Sequence, residues 1–140
     1  MYAVTHFSVG LMLGQAASNP YFACAYGLAS HIVLDLVPHS DYSKTVQGVL
    51  DLAAVASVAY VSVRAGTGIN ALLGGLAAIL PDLEVALAHL AAGRQTGRQK
   101  PGLFFPSHSG LIRHGRLPMP WGVITQVITV ATVWAVIGRA

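Results

Sequence analysis

An all-α bundle of about five membrane-spanning helices is the fold class this sequence predicts, and three observations predict it. Hydrophobic residues make up 54% of the 140-residue chain and charged residues only 9%, against roughly 25% charge in a soluble domain. Five apolar stretches, at about 2–17, 20–37, 46–64, 68–92 and 118–138, reach or approach the ~20 residues a helix needs to cross a bilayer. The polar sequence between them is too short to wrap a soluble core of that size. No linker, repeat or low-complexity tract divides the chain, so residues 1–140 read as one transmembrane domain.

Each stretch has its own punctuation. The first is short and carries His6. With no Lys or Arg ahead of its apolar run, it does not read as a removable signal peptide. The second ends at Pro38, which lacks an N–H and pushes Val37 out of the helical region. The third begins near Asp51, expected to cap its own helix or to pair with Lys44. Pro81–Asp82–Leu83–Glu84 interrupts the fourth, so a broken span is expected there. The fifth runs from Trp121 to Ile137 without a charge, after Pro118–Met119–Pro120.

Lys and Arg counts in short loops set orientation. Lys44, Arg94, Arg98, Lys100, Arg113 and Arg116 fall on one side, Arg64 and Arg139 on the other. This places the N-terminus in the cytoplasm and the C-terminus outside, in a multi-pass inner-membrane protein. No basic stripe points to nucleic acid. The lone Cys24 excludes an intrachain disulfide and a thiolate metal cage.

That topology gathers the polar residues. His31 and Asp35 stand one helical turn apart in an apolar span, with His39 and Asp41 just beyond Pro38. His6, Asp51, Asp82, Glu84, His89, His108 and His114 fall into the same cytoplasmic-side layer. Charge at membrane depth costs about 2.5–3.5 kcal/mol per residue on insertion scales. A divalent cation would neutralise two carboxylates and also take neutral imidazoles. The competing reading is a set of hydrogen bonds locking the helices together. His6, His31, Asp35, His39, Asp82 and His108 are the candidate metal ligands. Glu84 and Asp41 are candidate general bases, and Arg113, beside Arg116, is a candidate for holding phosphate charge.

At these residues the chain resembles the predicted membrane-bound, metal-dependent hydrolases of bacteria, a family that includes a LexA-regulated inner-membrane protein. The matching elements are Thr5–His6, His31-x-x-x-Asp35 with Pro38–His39, Pro81–Asp82-x-Glu84, and His108–Ser109. The His-x-x-x-Asp element is also similar to one in the zinc-dependent phospholipase C and nuclease group. The resemblance implies a metal-dependent hydrolase.

The expected function is therefore a phosphoesterase acting on a phospholipid or polyprenyl-phosphate at the inner leaflet, through metal-activated water. Zinc is the expected cofactor, with manganese and magnesium as alternatives. Membrane lipids are the expected partners, with homo-oligomerisation left open. The rivals are a small metal-ion or proton transporter subunit and a non-catalytic membrane assembly module.

Overall fold

Apolar runs cut by Pro, Gly and Asn become five helices: α1 (Ala3–Gln15), α2 (Pro20–Leu36), α3 (Thr45–Arg64), α4 (Ile69–Gly93) and α5 (Trp121–Ile137). The computed structural model describes residues 1–93, 103–112 and 115–138, with side chains through residue 88 in the first range. Among these residues there is no strand. A single parallel bridge joins His39 to Arg116.

The ends follow local chemistry. Asn19 caps α2, its side chain accepting from the Phe22 N–H at 3.0 Å, and Pro20 occupies the first helical turn. Val37 leaves the helix in extended conformation, as Pro38 requires. Gly66, at φ 75°, closes α3, and Thr67 N–H reaches back to Ser62 O.

The first helix is the hub. It packs against each of the other four, and α4 also packs along α2. Glycines make the closest crossing. A Cβ on Gly10 would stand 2.5 Å from both Ala78 Cβ and the Gly74 carbonyl oxygen, and one on Gly75 would strike the Phe7 ring at 2.8 Å. Phe7, Leu11, Val55 and Ala71 form the buried apolar cluster of this crossing.

Polarity is distributed inside out. Thr5, His6, Ser8, Ser30, His31, Asp35 and Asp51 are buried, while Val49, Leu50, Leu52, Leu76, Leu80, Val127 and Ile128 are exposed. Two helices, Thr45–Arg64 and Ile69–Ala88 within α4, are long and apolar enough to cross a membrane. The 13 residues of α1 reach only about 20 Å at 1.5 Å per residue. Among the described residues, the expected count of about five spans thus reduces to two by length and composition.

The expected break in the fourth span is also corrected. Helix α4 runs through Pro81 without interruption. Pro81 removes one ladder bond, to the carbonyl of Ala77. In the same turn the Ala78 carbonyl accepts from His31 Nδ1 at 2.7 Å. Packing against α1 and α2 carries the helix across the defect.

Candidate metal centre

The start of α1, the end of α2, the second half of α4 and the segment 103–112 meet at one end of the bundle. His31 and Asp35 come from α2, with His31 Nε2 3.1 Å from Asp35 Oδ2. From α1, His6 stacks its ring on His31 at 4.0 Å and brings Nε2 to 3.3 Å from Asp35 Oδ1. His108 Nε2 lies 3.4 Å from His31 Nε2, 3.7 Å from Asp35 Oδ2 and 3.6 Å from Asp82 Oδ1. Five of the six ligands expected from the sequence converge here.

The hydrogen bonds around the cluster point its lone pairs inward. A carbonyl only accepts, so His31 Nδ1 carries its proton toward Ala78 O and turns Nε2 to face Asp35 and His108. Metal-bound histidines characteristically show this arrangement.

Many polar atoms here are buried without a hydrogen bond: both ring nitrogens of His6, Asp35 Oδ2, Asp82 Oδ2, His108 Nδ1, Ser107 Oγ and Thr5 Oγ1. Several of them gather around Asp35, within reach of one shared cation. Donor atoms around a tetrahedral zinc stand roughly 3.3 Å apart, given metal–ligand distances near 2.0–2.1 Å. The 3.1, 3.4 and 3.7 Å edges of the His31–Asp35–His108 triangle match that spacing. Two overlapping groups could hold an ion, His6–His31–Asp82 and His31–Asp35–His108. Donors of this kind suit zinc, and they do not decide the metal's identity.

Burial holds His108 below the usual histidine pKa, keeping its imidazole neutral and able to ligate. Its side chain is 12% exposed and that of Asp82 26%, so the site opens on their side.

His39 stands apart from these groups. Its Nδ1 bonds to Val37 O at 2.7 Å, and its Nε2 lies 3.1 Å from Asp41 Oδ1. The bridge to 115–117 then brings Arg116 Nε to 3.5 Å from Asp41 Oδ2. The His39 hydrogen bond holds the Asp41 carboxyl well below the usual carboxylate range. Asp41 is thus occupied at the rim. Arg113 and His114, with Arg94, Arg98, Lys100 and Arg139, lie outside the described residues, as does the His89 side chain.

Glu84 also turns away from the site. Its carboxylate accepts the N–H of Phe104 and, at 3.0 Å, that of Phe105. Asp51 neither caps α3 nor pairs with Lys44. It accepts from Ala3 N–H at 2.6 Å and Val4 N–H at 3.1 Å, capping α1 from across the bundle. Tyr42 O–H also donates to Asp51, and Gln126 Oε1 takes the Tyr2 N–H at 2.7 Å. Burial, with the Asp51 contact, pushes the Tyr42 phenol upward. These groups fix the helix that presents His6. Sequence reading missed Gln126, Tyr42 and Ser107, and the only signal was a lone Gln in an otherwise chargeless span.

No family model, curated protein or solved structure matches this chain.

Proposed function

We propose that this chain is a membrane-embedded, metal-dependent hydrolase whose substrate is a phosphate ester carried on a lipid. One observation supports it above the others: unpartnered imidazole and carboxylate atoms are buried at one end of a bundle that is apolar outside. Helices too short or too polar to span alone, α1 above all, would sit inside the bundle and leave α3, α4 and α5 facing lipid. The site end carries Lys44 and Arg116, and by the positive-inside rule it faces the cytoplasm.

His31, Asp35 and His108 would hold the metal, with His6 behind them. The bound metal would supply an activated water and neutralise phosphate charge. Asp82, at the open edge, would take a proton from the attacking water. Water oxygen would bond to phosphorus as the ester P–O bond breaks, and the proton taken by Asp82 would pass to the leaving alkoxide. Arg116, 80% exposed by its side chain at the rim, is available to the phosphate. This reading places the chain with the membrane-bound metal-dependent hydrolases that its motifs resemble.

Metal analysis of detergent-purified protein, followed by a panel of phospholipids and polyprenyl phosphates, tests it. Stoichiometric zinc, with phosphate release lost in His31→Ala and Asp35→Asn, is the expected result. Bound metal with no turnover of any lipid phosphate, and metal flux in proteoliposomes instead, would replace it with transport.

A further inference from the structure

We propose that Glu84 is the positioning residue that holds His108 on the metal centre. The inference rests on the metal-site reading above and goes beyond it by giving Glu84 a role through another residue. His108 belongs to no helix. It rides on a turn, and the cost of ordering that turn has to be met by contacts that fasten it.

Glu84 supplies them. Its two carboxylate oxygens accept the successive N–H groups of Phe104 and Phe105, bonds strengthened by the charge on the acceptor. The Phe105 carbonyl then accepts from His108 N–H at 2.9 Å and from Ser109 N–H at 2.8 Å. The peptide units of Phe105 therefore link the carboxylate on one side to the His108 backbone on the other. The Phe105 ring meets His31 edge-on, with centroids 5.3 Å apart, which fixes the sideways placement.

The segment gains little from its outer face, where Phe104 is 95% and Leu111 80% exposed. A carboxylate is suited to this task because it accepts at both oxygens. A glutamine keeps one acceptor and turns an NH2 donor against an N–H.

The probe is Co2+ titrated into the detergent-solubilised full chain, read by its visible absorption. Loss of an outer contact that orients a ligand typically weakens metal binding by about 10–100-fold. Glu84→Ala and Glu84→Gln should show that loss and take on the spectrum of His108→Ala. The Glu84→Ala/His108→Ala double variant should bind no more weakly than His108→Ala alone, and Glu84→Asp should regain part of the wild-type spectrum.

A wild-type spectrum and affinity in Glu84→Ala, or additive losses in the double variant, would overturn the proposal. A second arm needs no metal. In the metal-free protein, Glu84→Ala should speed deuterium exchange at the Phe104 and Phe105 amides and expose His108 to diethyl pyrocarbonate. Unchanged exchange and reactivity would overturn the proposal. Wild-type protein that takes up no Co2+ would remove the metal reading and leave this arm to decide the role of Glu84.

Discussion

His31 donates its Nδ1–H to the backbone carbonyl of Ala78 at 2.7 Å. The bond joins α2 to α4 three residues before Pro81, and it settles which imidazole nitrogen faces Asp35. An imidazole whose other nitrogen is turned to a carboxylate is oriented as a cation ligand would be.

A metal that binds only the folded protein should therefore stabilise it. At a concentration 100 times Kd the gain is about 2.7 kcal/mol, which should raise Tm by several degrees in a thermal scan with zinc. Chelation should reverse the shift. His31→Ala and Asp35→Asn should unfold at the same temperature with and without zinc.

The cap that Asp51 places on α1 gives a second expectation. Asp51→Ala leaves the Val4 amide and the Tyr42 hydroxyl without their acceptor, and the Ala3 amide with the Tyr42 hydroxyl oxygen alone. Hydrogen bonds to a charged group contribute about 1.5–3 kcal/mol each before relaxation. A loss of about 2–3 kcal/mol in denaturant unfolding is expected. Asp51→Asn should lose less.

Helix α1 crosses α4 through glycine, and the two faces of that rule can be separated. A Cβ on Gly74 would fall against the Gly10 carbonyl and stand 2.8 Å from Gly14 Cα. Gly74→Ala should cost about 1–3 kcal/mol, as overpacking does. Gly48, in the first turns of α3, has nothing within 4 Å of its would-be Cβ. Gly48→Ala should be neutral or stabilise by up to about 1 kcal/mol. Paired unfolding curves decide both.

Tyr42 makes the alkaline limb of stability informative. Its folded pKa is raised by burial, then by Asp51, above the ordinary phenol value of about 10. The stabilisation is therefore full below pH ~10 and is lost as pH rises beyond it. The difference in unfolding free energy between wild type and Tyr42→Phe should shrink above that pH. A difference that stays constant would show that the Tyr42 phenol titrates normally.

Much of the fold was legible in the sequence, because its boundaries are local. Pro38 ended α2 as steric rules require, and the five expected stretches overlap the five helices. The continuity of α4 through Pro81 was not, since packing against α1 and α2 carries the helix past the missing bond. For the site, the one-turn spacing of His31 and Asp35 was enough to mark the pair, and the layer argument added His6, Asp82 and His108. The partners of Asp51, Glu84 and Gln126 could not be read. The main-chain groups they reach across the bundle lie 20 to 124 positions away in the chain, and only the way the helices cross selects them.

The capping of α1 bears on how the chain is made. Its leading amides are satisfied by residues 51 and 126, which leave the ribosome long after it does. Helix α1 is thus completed by segments made after it, and a chain truncated before Gln126 should leave the Tyr2 N–H without its acceptor.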